Sequence, residues 1–445
     1  MGLATFWGRV RRAELQLLFL PAVCALLGLL TLVTVRTGIA RWGWKDMSVG
    51  LLVVAAFYLV SILFSMRGFI GDEMLFPLTA ALATLGFLMI QRLGSAVSPE
   101  AHLAEKQLIY LLVSLTMMAG IALGFRRRHL RLLRDYKYTW AIIGIGLTAA
   151  VMVFGVEING ARLWFNFGFF YFQPAELLKI ILVVFLAAYL SEKRELLNAP
   201  FLLGGRIRLP PVPYLLPALI LWGLSLAIVV VEKDLGQGLL IFGIFLAMLY
   251  LASGRVGYVL VGLLAFAVGA YVLYRIFPHV QTRVVIWLDP WSRGLGTGSQ
   301  LVQSQYALAT GGIFGTGLGQ GDPTNIPLVQ TDFVFSAIGE EMGLLGTVAL
   351  LLFYAFFVFR GIRIAIDAVD DFSRFLAVGL TTVVGVQACI IIGGTVGLFP
   401  LTGITLPFIS YGGSSLLSNF IIVGILLAIS GMKPGRAVAI PGVPT

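Results

Sequence analysis

Apolar residues along the chain come in blocks of about 20, and the polar residues gather in short stretches between them. The blocks fall at 15–35, 47–66, 73–91, 107–125, 138–155, 174–191, 212–231, 235–252, 256–277, 338–359, 375–397 and 413–431. A helix of about 20 residues spans a hydrocarbon core about 30 Å thick, so each block predicts one membrane-crossing helix. The pattern predicts an all-α polytopic membrane protein with about 12 transmembrane helices. Only Glu232-Lys233-Asp234 separates the seventh block from the eighth. One connection, from about Pro278 to Asp332 ahead of the tenth helix, is much longer than the others. Long connections in compact proteins tend to be functional.

Composition supports this reading. Of 445 residues 59% are hydrophobic and 12% charged, and the mean hydropathy is +0.97. The blocks run almost without interruption, which points to one membrane domain. Basic residues precede the first apolar run, as in a signal peptide, but no convincing small-x-small cleavage pattern follows, so the run reads as a retained first helix. Cys24 and Cys389 lie in separate apolar blocks, which predicts two buried thiols and no disulfide framework.

A net charge of +10 could suit nucleic acid, but the distribution of basic residues argues against that partner. With the N-terminus in the cytoplasm, the inner segments hold more than twice as many Lys and Arg as the outer ones. That bias places both termini in the cytoplasm and the 278–332 loop outside. The run RRRHLRLLRDYK (126–137) then reads as a topology determinant lying against anionic lipid headgroups. The tail after Gly431 is short and expected to be disordered.

Ionisable groups inside spanning segments are costly and are candidates for function. In FQPAELLKI (172–180), Glu176 and Lys179 are three apart and share a helix face. They could form a buried pair, line a charged cavity, or do both. In VEKDLGQG (231–238), Asp234 suits a cap on the following helix. In IPLVQTDFVFSAIGEE (326–341), Thr331 or Asp332 could cap, while Glu340 and Glu341 cannot both face lipid. Asp332 also stands at the end of the long loop, where catalytic groups are often held.

GTGLGQG (315–321) looks like a phosphate-cradling loop but belongs to no strand-turn-helix unit, so a dinucleotide or P-loop reading fails. His102, His129 and His279 are scattered, against a zinc site. LFPLTGITLPFISYGGSSLLSN (398–419) is irregular backbone of the kind tolerated at membrane depth only against protein or water. It predicts a cavity wall, with Ser414 and Ser415 either capping or binding a ligand.

Taken together, GARLWFNFGFFYFQPAELLKI, DLG at 234–236, QSQYALATGGIFGTGLGQG, TDFVFSAIGEEMGLLG and PLTGITLPFISYGGSSLL resemble the SEDS family. These are the RodA, FtsW and SpoVE proteins of bacterial elongation, division and sporulation. Order and spacing agree over about residues 73–431, and the two extra N-terminal helices resemble a longer, RodA-like variant. Lys233 stands where the family usually has Pro, and Leu328 where it usually has an acid.

The resemblance implies a cytoplasmic segment 1–14, two added helices within 15–72, a ten-helix core over 73–431, and a cytoplasmic tail 432–445. It implies an inverting glycosyltransferase that polymerises lipid II at the outer face of the bacterial cytoplasmic membrane. The expected partner is a class B penicillin-binding protein. A divalent cation, Mg or Mn, is expected, and no organic cofactor. Asp332 aligns with the family's essential aspartate, and could take the acceptor's proton or hold the cation. Positive charge for the leaving pyrophosphate would come from Lys179, Arg162 or Arg283, with Glu176 orienting Lys179. Asp234, Gln303, Ser304, Glu340, Glu341, Ser414 and Ser415 would line or support the site.

The rival reading is a flippase or transporter of lipid-linked precursors. It calls for charges near the bilayer midplane and an internal repeat. No repeat is visible, and the charges gather toward the outer face, which favours the polymerase. A third reading, a structural scaffold for a penicillin-binding protein, predicts that Asp332 is dispensable.

Overall fold

The computed structural model describes residues 10–432 apart from 38–43, 98–101, 159, 169, 199–200, 204–206, 210–211, 294–295 and 297. The 433–445 tail therefore lies outside the described residues. Among them, 12 helices are long and apolar enough to cross a membrane. The first crossing joins α1 (Arg12–Leu17) to α2 (Phe19–Thr37); α3 (Trp44–Met66), α4 (Leu75–Val97) and α5 (Leu103–Gly124) follow. A short helix α6 (Arg127–Asp135) precedes α7 (Lys137–Phe154).

A three-stranded antiparallel unit, β1 (Val156–Ile158), β2 (Ala161–Asn166) and β3 (Tyr171–Phe172), leads into α8 (Pro174–Asn198). The hairpin of β4 (Phe201–Leu203) and β5 (Ile207–Leu209) leads to α9 (Val212–Val231), α10 (Leu235–Ser253) and α11 (Val256–Ile276). The long connection holds α12 (Pro278–Leu288) and α13 (Ser299–Gly311). The chain then completes α14 (Val334–Ile366), α15 (Asp371–Thr395) and α16 (Gly413–Ser430).

Helix α8 is the post of the bundle. It is buried along 89% of its apolar stretch, whereas α11 is buried along none of its own. Helices α7, α10 and α15 pack around α8, so the polar side chains on its first turns are enclosed by protein. Alternating spans put the connections 155–173, 232–234, 277–333 and 396–412 at one end of the bundle.

At the opposite end, the added first crossing is tied to the core by Arg11, which is nearly fully buried. Its guanidinium pairs with Glu14 at 2.6 Å and donates to the carbonyls of Phe69, Gly71 and Asp72 at 2.7–3.0 Å. Arg11 and Glu14 thus belong to the packed body. Cys389 differs too: it is exposed on the helix surface, and Cys24 is half-buried.

Helix α14 begins at Val334, earlier than its apolar run suggests, and breaks at Gly343, where φ is +66°. The break places Gly343 beside Gly315: a Cβ at position 343 would overlap the backbone there. Such a conformation is open to glycine and costly for other residues.

Lys233 makes the turn between α9 and α10 with φ of +65°, a region that costs an L-residue roughly 1–2 kcal/mol. Proline, fixed near φ of −65°, cannot adopt it, so this turn is built differently from the proline-containing one usual in the resembled family. Lys233→Gly is expected to raise the thermal midpoint in detergent and Lys233→Pro to lower it. The opposite order would contradict the left-handed turn.

Candidate active site

A chain of polar side chains runs from the loop end of the bundle into its interior. Asp234 caps α10, its Oδ1 accepting from the Gln237 amide at 3.0 Å, while Oδ2 accepts from Gln173 Nε2 at 3.3 Å. One turn further in, Gln237 Nε2 donates to Glu176 Oε1 at 3.0 Å. Glu176 Oε2 takes Lys179 Nζ at 2.6 Å and Ser418 Oγ at 2.8 Å. Lys179 also donates to Gln387 Oε1 at 2.9 Å, and Gln387 Nε2 to the Thr405 carbonyl at 2.8 Å. Thr405 and Ser415 share a hydroxyl contact of 2.6 Å, and Asn419 donates to Ser415 Oγ at 3.3 Å.

The spacing of Glu176 and Lys179 thus forms the buried pair expected of it. Lys179, however, has no exposed surface, so as placed it cannot contact a pyrophosphate directly. Its ammonium is taken up by Glu176 and Gln387.

Asp332 lies at the mouth of this chain. The N-cap of α14 is Phe333, with no side-chain cap, so neither Thr331 nor Asp332 takes the capping role. The backbone on either side is pinned by the 406–412 segment: Ser410 Oγ donates to the Thr331 carbonyl at 2.5 Å and the Tyr411 amide to the Gln330 carbonyl at 2.9 Å. The half-buried Asp332 side chain and Arg283 converge on Gly403, whose φ is +74°. A Cβ at that glycine would stand 3.7 Å from Asp332 Oδ2 and 3.8 Å from Arg283 Nη2. The missing side chain leaves room between carboxylate and guanidinium. Arg283 is fixed by donating from Nη1 to the carbonyls of Leu401 and Thr402 at 3.0 and 2.9 Å.

Burial pushes the Asp332 carboxyl up to about 6, against the opposing pull of its hydrogen bond with Thr331 and the charge of Arg283. Burial likewise raises Asp234 to about 6, against the Gln237 amide. The carboxylates of Glu176 and Asp332 add to that rise, and Arg283 opposes it. Beside them, burial and then Asp234 push Glu232 up to about 8. His279, one helical turn before Arg283 on α12, is held below its ordinary value by burial and by the charges of Arg283 and Lys233. Three carboxylates and three potential cations therefore share this mouth. Four buried polar atoms around it, Gln237 Oε1, Gln330 Oε1, Thr402 Oγ1 and Asn419 Oδ1, lack a partner among the described residues. Buried polar groups left unmatched call for a ligand or water.

The remaining sequence candidates fall elsewhere. Arg162 is on β2, paired with Glu157 at 3.3 Å on an exposed surface, and makes no contact with this cluster. Glu340 and Glu341 turn toward the 315–321 loop. Glu340 Oε1 accepts from the Asp322 amide at 2.7 Å, and Glu341 accepts from the Gly319 amide at 2.9 Å and Arg92 at 3.0 Å. The amides of Thr316 and Gly317 bond the carbonyls of the same two residues. The N–H groups of Gly315, Thr316, Gly317, Gly319 and Gln320 are thus taken up by protein oxygens, which leaves the loop few donors for a phosphate.

Ser304 is fully buried and ties α13 to Ser336 at 2.6 Å and to the Thr395 carbonyl at 3.1 Å. Gln303 Oε1 is buried and has no hydrogen-bond partner among the described residues. Helix α16 is capped by Gly412 with no side-chain bond, so neither serine caps it. Ser414 bridges the Tyr171 carbonyl at 2.9 Å and the Gln173 amide at 3.0 Å, while Ser415 is interior.

Sequence reasoning missed Gln173, Gln237, Gln387, Thr405, Ser418 and Asn419. It passed over Lys233 and His279 as well. For Gln237 a signal existed, since it stands three residues after Asp234 in the capping register. The others meet only through tertiary packing.

Fold and site together define a multi-pass membrane protein with a cluster of ionisable groups at one mouth of the bundle, over a buried ion-pair chain. The chain belongs to the FtsW/RodA/SpoVE family, described as cell cycle protein, whose model matches residues 72–434. It is 40% identical over 429 residues to the peptidoglycan glycosyltransferase RodA of Mycobacterium tuberculosis, covering 94% of this chain and 90% of that one. It is 35% identical to the stage V sporulation protein E of Bacillus subtilis, over 81% of this chain and 96% of that one. Among solved structures, it resembles a chain of a peptidoglycan synthase complex that coordinates polymerization and crosslinking. That likeness has a TM-score of 0.66 and 30% identity, over 81% of this chain and 98% of the other. The rod shape determining protein RodA of Thermus thermophilus matches with TM-score 0.58 and 27% identity, over 82% and 98% of the two chains.

Proposed function

We infer that Asp332 and Arg283 form the reaction centre of this chain, which is a peptidoglycan glycosyltransferase. The observation that carries this assignment is their convergence on the open backbone at Gly403. The substrate is lipid II. An acceptor sugar hydroxyl attacks the anomeric carbon of the donor, and the polyprenyl pyrophosphate leaves with inversion. Asp332, raised to about 6 by burial and so ionised at neutral pH, accepts the hydroxyl proton. Arg283, its guanidinium oriented by two carbonyls, faces the leaving phosphates, with Lys233 adding positive potential. Asp234 and the Glu176–Lys179 pair hold α8 and α10 in register behind them.

Among the described residues, no three His, Cys, Asp or Glu side chains gather as a metal cage. Magnesium and manganese ask for less: one or two carboxylates, with substrate phosphates and water completing the shell. Asp332 fits that role. When bound, such a cation would neutralise charge on the departing pyrophosphate. Chelation is expected to abolish turnover, and added magnesium or manganese to restore it; full activity in excess chelator would remove the cation from the scheme.

We place the protein in the bacterial cytoplasmic membrane with both termini cytoplasmic and Asp332 outside, working with a class B penicillin-binding protein. Basic loops support this orientation. The pH dependence tests the assignment. Asp332 must be ionised to accept a proton, so activity is expected to fall as pH drops through about 6 and to level off above it. A profile flat from pH 5 to 8 would contradict a base role. Lipid II crossing a liposome bilayer without glycan formation would favour the flippase instead.

A further inference from the structure

The basic run between α5 and α7 folds as α6, anchored by Leu130, which is 5% exposed. Arg127, Arg131 and Arg134 recur at spacings of four and three, so they share one face of that helix. Together with Leu130, Asp370 and Phe372 they line one cavity of about 260 Å³. This cavity lies at the end of the bundle opposite Asp332, between α6 and the turn joining α14 to α15.

Its charge is largely unmatched. Among the described residues, Arg134 pairs with Asp135 at 3.3 Å, and Arg127 and Arg131 have no acidic partner within ion-pair distance. Of the acids nearby, Asp370 lines the same cavity and offsets part of that charge, with its carboxylate directed to the start of α15, and Asp371 is engaged elsewhere. Asp370 caps α15, accepting from the amide and hydroxyl of Ser373 at 2.9 Å each. Asp371 pairs with Arg194 at 3.2 Å and Arg374 at 3.0 Å. The floor of the cavity is apolar, since Leu130 and Phe372 are both almost fully buried. An arginine rim over an apolar floor, at the level where membrane spans end, fits an amphiphile with an anionic head. Arginine suits phosphate through its planar, forked donors.

We propose that this cavity is a discrete site for one anionic glycerophospholipid, its phosphodiester held by Arg127, Arg131 and Arg134 and its glycerol region against Leu130 and Phe372. The site goes beyond general attraction of a basic segment to the bilayer, because the three arginines face one pocket while Arg128 projects from another side of the helix. It stands independently of the chemistry assigned to Asp332.

The test uses the full-length protein in detergent, titrated with phosphatidylglycerol, phosphatidylcholine or glycerol phosphate, and read by native mass spectrometry and thermal unfolding. Wild type is expected to retain one phosphatidylglycerol and to gain thermal stability from it, with little effect of phosphatidylcholine. Each arginine changed to glutamine is expected to weaken binding about fivefold, and all three together about a hundredfold. The control Arg126→Gln with Arg128→Gln should bind within a few-fold of wild type. If the triple variant does not fold, Arg131→Gln alone carries the comparison with Arg128→Gln. Equal losses in cavity and control variants would overturn the site in favour of diffuse attraction. Stabilisation by glycerol phosphate as strong as by the lipid would overturn the lipid assignment.

Discussion

Replacing Lys179 by methionine is expected to lower stability by about 3–5 kcal/mol, the range for breaking a buried ion pair from one side. Lys179 has no exposed surface, and its ammonium is matched by Glu176 at 2.6 Å and Gln387 at 2.9 Å. Without it, the Glu176 carboxylate remains enclosed with only Gln237 and Ser418 to satisfy it. Combining Lys179→Met with Glu176→Gln removes both charges and is expected to recover most of the loss, since replacing a whole buried pair is far milder than orphaning one member. Thermal unfolding in detergent distinguishes the cases. Equal destabilisation by the single and double changes would show that the pair is not energetically coupled.

Asp332→Asn is expected to reduce glycan polymerisation about 10²- to 10⁴-fold, the contribution of a positioned general base. Asparagine keeps the shape but cannot accept the proton at neutral pH. Stability should not fall, because Asp332 neither caps α14 nor forms an ion pair among the described residues. The direction follows from linkage. A carboxyl raised to about 6 in the fold binds its proton more tightly there than in the unfolded chain, so its contribution to stability is lost as pH rises through 6. Removing it should leave the fold unchanged or slightly more stable at pH 7. A group that lowers activity when changed without lowering stability is the mark of a site kept for chemistry.

Much of this was legible in the sequence because each span is a long apolar run, and hydropathy alone fixes such runs. The start of α14 was less legible. Residues 334–341 carry Glu340 and Glu341, which weaken the apolar signal, yet the helix begins there with Glu340 bonded by the Asp322 amide and Glu341 by Arg92 and the Gly319 amide. The three-stranded unit over 156–172 was not anticipated, since strands of two to six residues are too short for alternation to register. Helices α12 and α13 hid within a connection whose Gly, Ser and Gln content reads as loop. Local spacing correctly predicted the Asp234 cap and the pairing of Glu176 with Lys179. The same logic failed at Asp332, where the chain continues one residue further before α14 begins. That failure frees the side chain to face Arg283. Gln387, 208 residues from Lys179, could not be paired with it by any local rule.

The most direct test mixes the purified protein and the proposed class B penicillin-binding partner with lipid II and magnesium at pH 7.5, comparing wild type with Asp332→Asn. The expected result is long glycan strands from wild type and almost none from the variant, although the variant folds and binds its partner. Strands of equal yield from both would remove Asp332 from the reaction centre and contradict the account.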